Sequence, residues 1–127
     1  MTTYITTTFT PAMMDGNGSV AMMKEISLEK AKEIMGLHEW KSAVSHENTA
    51  ELLSRKLSMD IAFNRVNISL DAGDTVICII PAFRTNVARE FTDEEIRNAE
   101  FRAFVVNIIS REYADSSWDI CEALRAR

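Results

Sequence analysis

Few side chains in this sequence combine a reactive type with a setting that could use it. Of its two histidines, His46 falls where an expected short strand from Trp40 to Val44 gives way to an expected helix from Asn48 to Leu57. Side chains at such a junction commonly meet a ligand, and imidazole is the side chain best suited to exchange a proton near neutral pH. His38 falls in an expected loop beside Trp40 and is the weaker candidate. A surface or structural histidine is the commoner use of either position. Arg65 enters an alternating apolar stretch after Phe63-Asn64, and Arg84 leaves the next apolar run. If the two runs form a hairpin, their far ends meet at one sheet edge. The guanidinium groups then make a phosphate-sized cationic pocket in an acidic protein. Two unrelated strand-end arginines fit the residues equally well.

Other chemistries lack a signature. HExxH, GxSxG, a Walker loop and GxGxxG are all absent, so metalloprotease, α/β-hydrolase, NTPase and dinucleotide-oxidoreductase readings have no support. The acidic residues fall in turns and helix starts, where they cap and solvate, and no carboxylate pair suggests a glycosidase. Met13, Met14, Met22 and Met23 flank a glycine-rich turn and read as core filling or an oligomer contact.

The elements that must position these residues follow from periodicity. Tyr4 to Phe9 is β-branched and aromatic and predicts a strand, ending at Thr10-Pro11. Asp15-Gly16-Asn17-Gly18 is a strong turn signal, after which Val20 to Met23 is expected to return as a second, hairpin-like strand. Ser27 caps an expected helix from Leu28 to Met35, with Gly36 as its stop. Val66, Ile68 and Leu70 alternate with polar neighbours, Asp71 to Asp74 turns the chain, and the apolar run Val76 to Ile80 reads as a central strand antiparallel to the first. Pro81 to Phe91 has no periodicity and is long for a connection, as lids and binding loops are. Thr92-Asp93-Glu94-Glu95 is a capping box opening a short helix. Phe101 to Ile109 predicts a strand and Ser116 to Leu124 a terminal helix. Together these predict one α/β domain over 1–110, a mixed, about five-stranded sheet flanked by short helices, with a helical tail over 111–127.

Composition sets the outer limits. At 127 residues, with 46% hydrophobic and 26% charged side chains, the chain matches a single folded domain rather than a disordered one. A net charge of −5 has the wrong sign for coating duplex nucleic acid. No lysine follows Lys56, so the later cations are all arginines. Cys78 and Cys121 provide neither a disulfide framework nor a zinc site, consistent with a reducing compartment. With no signal-like start and no apolar stretch of roughly 18 residues, a soluble, cytoplasmic protein without a membrane partner is expected.

The sequence resembles the viral ring nucleases, anti-CRISPR proteins that degrade cyclic tetra-adenylate. The likeness runs from the first strand to about Val106. It is carried by Tyr4-Ile5-Thr6-Thr7-Thr8-Phe9-Thr10, by Ala43-Val44-Ser45-His46-Glu47-Asn48-Thr49-Ala50, by Asn64-Arg65, by Ala72-Gly73-Asp74, by Arg84 and by Thr92-Asp93-Glu94-Glu95-Ile96. It implies a homodimer with a cyclic oligoadenylate bound across the two-fold axis under closing loops, with no metal and no other cofactor. The family's catalytic histidine corresponds to His46, its phosphate-binding arginines to Arg65 and Arg84, and its lid to the segment from Phe83 to Phe91. Thr7, Thr8, Ser45, Asn86, Val87 and Glu90 are then the further substrate-binding positions. Three residues depart from the family pattern: Ser45 replaces a glycine, Thr7 an asparagine, and Val87, followed by Ala88, the lid glutamate. Three functions follow as alternatives: a metal-independent ring nuclease for cyclic tetra-adenylate, a non-cleaving cyclic-nucleotide sponge, or a nuclease for a different cyclic nucleotide.

Overall fold

The computed structural model describes residues 1–14, 19–85 and 89–110. Its strands are β1 (Thr3–Thr6), β2 (Val20–Ile26), β3 (Lys41–Ser42), β4 (Thr75–Pro81) and β5 (Phe101–Ile109). The helices are α1 (Leu28–Leu37), α2 (Glu47–Leu57) and α3 (Asp93–Asn98), with a 3-10 turn at Pro11–Met13. One mixed sheet holds all five strands in the order β2-β5-β4-β1-β3. β1 runs parallel to β3 and β4, and β5 runs antiparallel to β4 and β2. The protein is thus a single α/β domain built on a five-stranded mixed sheet, as its sequence predicts.

β4 is central because Val76, Ile77, Cys78 and Ile79 are all buried, which requires cover on both sheet faces. Ile77 and Ile79 join Ile5, Ala31, Met35, Ala50, Leu53 and Leu57, so α1 and α2 pack on that face. Val76 and Cys78 point the other way and join Leu70, Val106 and Ile108, with Phe9, Met13 and Ile68 against them. The two-residue alternation of a strand thereby divides one apolar run between two cores.

Several expected pairings are corrected. The first strand ends at Thr6 rather than Phe9, and the strand expected from Trp40 to Val44 shortens to β3. β2 forms where expected but pairs with β5, because both edges of β1 are taken by β3 and β4. The alternating residues Val66, Ile68 and Leu70 do not form a strand beside β4, whose two edges are filled by β1 and β5. Leu70 instead makes an isolated parallel bridge to Met14, and its N–H donates to the Met13 carbonyl at 2.7 Å. The alternation marks the approach to the core only at its end: Leu70 is buried and Ile68 packs beside it, whereas Val66 is 49% exposed. The turn itself stands: Gly73 takes φ +96°, a conformation that favours glycine, and donates its N–H to Ile108 O at 2.8 Å. Asp74 locks it by accepting from the N–H groups of Thr2 and Asp71, each at 2.9 Å.

Helix starts match the sequence closely. Ser27 Oγ accepts from Lys30 N–H at 3.0 Å, and Thr92 and Glu95 form the reciprocal capping box of α3. α1 runs one residue past Gly36, which keeps a negative φ. Trp40 Nε1–H donates to Met35 O at 3.1 Å, satisfying a terminal carbonyl that a glycine cap would otherwise serve. The expected turn over 15–18 and the expected terminal helix and tail over 111–127 lie outside the described residues.

Leu53 is fully buried between α2 and the sheet. Leu53→Ala is expected to lower unfolding free energy by about 2–5 kcal/mol, measurable by denaturant titration. A loss well under 1 kcal/mol would mean that this helix face does not form the core.

Candidate functional site

Three mutually aligned strands, β4, β1 and β3, release their chains at one edge of the sheet. Open α/β sheets generally bind ligands at this carboxyl edge. Thr7 and Thr8 follow β1, Ser45 and His46 follow β3, and Phe83 and Arg84 follow β4. Thr7 and Ser45 are half-buried, whereas Thr8, His46 and Arg84 are exposed.

His46 is the N-cap residue of α2, with an extended backbone at φ −125° and ψ 129°. Ser, Thr, Asp or Asn at this position would normally bond back to the helix, but the imidazole makes no cap bond. It remains available beside the positive end of an eleven-residue helix, where an anion is favoured.

Arg84 reaches the same helix by a device that sequence reasoning missed. Thr49, in the first turn of α2, shares a hydrogen bond of 2.7 Å between hydroxyl oxygens with Thr85. Both residues are buried. The bond ties the segment leaving β4 to the helix that His46 caps. Two threonines 36 residues apart carry no local signal that they would meet.

Arg65 arrives differently from the expected hairpin. Phe63 makes an isolated parallel bridge to Val44, just beyond β3. Asn64 fastens the same segment through N–H to Val44 O at 2.9 Å and Nδ2–H to Ser42 O at 2.8 Å. Because this chain also runs parallel, Arg65 leaves toward the carboxyl edge. The inferred edge is correct, but the hairpin that justified it is absent. β1, β3 and three strand spacings, about 14 Å at the backbone, separate the exits leading to Arg65 and Arg84. His46 leaves from between them. The arrangement is an open cationic strip, and among the described residues neither arginine enters an ion pair.

The segment over 83–91 is anchored at both ends. Thr85 provides one anchor; at the other, Arg89 forms a two-pronged ion pair with Glu95, each N–O distance being 2.8 Å. Arg55 donates to Phe91 O at 2.9 Å and pairs with Asp93. Phe83 packs edge-on against Phe91 and Phe101, at 6.0 and 6.2 Å between centroids. Glu90 is exposed, while Asn86 and Val87 lie outside the described residues.

Two hollows lie elsewhere on the surface, one at the opposite edge of the sheet and one beside the strip. A cavity of about 650 Å³ opens at the amino ends of the parallel strands, between Thr3, Trp40, Lys41 and Thr75. A smaller one, of about 330 Å³, lies between Phe83 and α3. Among the described residues no cluster of three or more His, Cys, Asp or Glu could hold a metal ion. Burial raises the pKa of Cys78, against a smaller opposing effect of the Thr6 hydroxyl, so this thiol stays protonated and inert.

Comparison with known proteins agrees with this architecture. Residues 3–103 match the STIV B116-like family, and the chain belongs to it. It is 31% identical over 111 residues to "Uncharacterized protein 26" of Sulfolobus islandicus filamentous virus, spanning 87% of this chain and 94% of the relative. "Uncharacterized protein ORF116" of Acidianus filamentous virus 1 is 26% identical over 96 residues, or 76% and 83% of the two chains. The solved structure of B116 of Sulfolobus turreted icosahedral virus superposes with a TM-score of 0.72 at 18% identity, covering 84% of this chain and 98% of that one. The fold is therefore shared with virus-encoded relatives. No helix among the described residues is long and apolar enough to cross a membrane.

Two predictions follow from the anchors. Thr49→Val strands the buried Thr85 hydroxyl and is expected to cost about 1–3 kcal/mol, whereas Thr49→Val with Thr85→Val should recover most of it. Equal losses in the single and double variants, by denaturant titration, would contradict the paired-hydroxyl anchor. Arg89 first, then the Thr92 N–H, lowers Glu95 from 4.5 to about 2. A carboxyl with a depressed folded pKa supports the fold above its unfolded pKa and loses that support as pH falls through the folded one. The anchor should persist at pH 4 and weaken only toward pH 2. Carbon-13 titration of the Glu95 carboxyl would show it, and a midpoint near 4.5 would remove the ion pair.

Proposed function

We propose that the protein is a metal-independent ring nuclease that opens cyclic tetra-adenylate and thereby counters type III CRISPR immunity. The observation that carries the reading is His46, uncapped at the α2 N-terminus, on a strip whose two arginines have no ion-pair partner among the described residues. A span of about 14 Å between strand exits suits a ligand with several phosphates better than a single phosphate. The resemblance to the ring nucleases through Ser45-His46-Glu47-Asn48, Asn64-Arg65 and Arg84 supplies the substrate.

In this mechanism a ribose 2′-oxygen attacks the adjacent phosphorus and the bond to the 5′-oxygen breaks. His46, holding a proton where the ligand's phosphate offsets the positive helix end, gives that proton to the departing 5′-oxygen, while the 2′-hydroxyl proton passes to solvent. The product carries a 2′,3′-cyclic phosphate. General acid catalysis of this kind contributes roughly a hundredfold to ten-thousandfold. Arg65 and Arg84 hold the phosphates and stabilise charge developing on their oxygens. A homodimer with two-fold symmetry would present two such strips to a symmetric ring.

Val87 in place of the lid glutamate favours a second reading, in which the protein sequesters a cyclic nucleotide without cutting it or cuts a different one. Incubation with cyclic oligoadenylates of several ring sizes and with cyclic dinucleotides, in the presence of chelator, separates these outcomes by product. Cleavage of cyclic tetra-adenylate is expected, and its absence with retained binding would establish the sponge. His46→Ala should abolish cleavage and leave binding measurable, because a proton donor acts chiefly in the transition state. Arg65→Ala and Arg84→Ala should each weaken binding by roughly 1.5–3 kcal/mol. Unchanged single-turnover rates in His46→Ala would remove the histidine from the mechanism.

A further inference from the structure

Phe63 combines exposure with an unusually firm support. The residue is 50% exposed, although the backbone on either side is fixed to β3 and the residues just after it. Ser42 Oγ–H donates to Ala62 O at 2.5 Å, and Asn64 reaches Val44 O and Ser42 O through its N–H and Nδ2–H groups. The other large exposed aromatic among the described residues, Phe83, is accounted for by its edge-to-face contacts with Phe91 and Phe101. Phe63 has no ring partner among the described residues. It sits two positions before Arg65 and is bridged to Val44, two positions before His46.

A half-exposed residue on a pinned backbone, two positions from a guanidinium with no ion-pair partner among the described residues, can hold a base and its phosphate together. Nucleobases stack on aromatic faces while cations track the backbone. We propose that Phe63 is a base-stacking residue, receiving an adenine of the cyclic oligonucleotide at the outer end of the strip while Arg65 holds the neighbouring phosphate. This inference rests on the ring-nuclease reading and adds to it a contact to a base beside the contacts to phosphate, stronger for a purine than for a pyrimidine. The rigid backbone limits the ordering needed on binding, which makes the ring a preformed platform.

The test titrates labelled cyclic tetra-adenylate and cyclic tetra-uridylate into the full chain and into Phe63→Leu, Phe63→Trp and Arg84→Ala. Phe63→Leu keeps apolar bulk but removes the aromatic face. It is expected to weaken cyclic tetra-adenylate binding by roughly five- to a hundredfold, the range of stacking losses per base. The uridylate ring should lose less. Phe63→Trp should bind at least as tightly as the parent, which a merely structural role for the phenyl ring would not produce. Thermal midpoints should be alike in all three Phe63 proteins, since the residue is half exposed. Parent-like binding by Phe63→Leu, with binding weakened in Arg84→Ala, would overturn the stacking role and leave the nuclease reading standing. Failure of the parent to bind any cyclic oligonucleotide would overturn both.

Discussion

Parallel pairing obliges neighbouring chains to leave a sheet on the same side, and the carboxyl edge of this protein depends on that geometry. β1 has only four residues, yet it pairs in parallel with β4 on one side and β3 on the other. Residues separated by tens of positions in the chain, among them Thr7, His46 and Arg84, therefore emerge side by side. The pairing of Phe63 with Val44 extends the same rule outward and brings Arg65 with it. Without parallel strands at the centre, the cations and the imidazole would be scattered over opposite ends of the domain.

The two cores hold this edge steady by different means. α1 and α2 cover one face through Ala31, Met35, Ala50, Leu53 and Leu57, so the helix that His46 begins is bound firmly to the sheet. The other face is closed by irregular chain around Leu70, Phe9 and Met13. α3 is tied to α2 rather than to the sheet centre: Lys56 Nζ donates to the carbonyls of Ile96 and Arg97, and Leu52, Phe91 and Ile96 share a small core. Through these contacts and the Thr49–Thr85 bond, both ends of the segment over 83–91 are referred to one helix.

Polar cover on the strip is also selective. Arg55, Arg89 and Arg102 are engaged with Asp93, Glu95 and Glu25, which is the ordinary use of surface arginine. Arg65 and Arg84 are left out of that pattern. Ion pairs elsewhere on the surface thus distinguish structural arginines from available ones more clearly than residue type does.

Local signals in the sequence determined local structure well. The Ser27 cap, the Thr92 capping box, the glycine turn at Gly73, the strand Phe101–Ile109 and the central burial of β4 were all legible, because each depends on residues within a few positions of one another. His46 and both arginines could be singled out by type and spacing. Tertiary structure alone decided which strands pair. Apolar Ile68 and Leu70 record that the chain meets the core there, but they do not specify the backbone alongside, and Val66 stays exposed; β4 had no free edge, so that segment crossed the sheet face instead. The same limit hid the Thr49–Thr85 bond and the support beneath Phe63. Side-chain chemistry is written residue by residue, whereas hydrogen-bond partners distant in the chain are settled by competition for sheet edges and buried space.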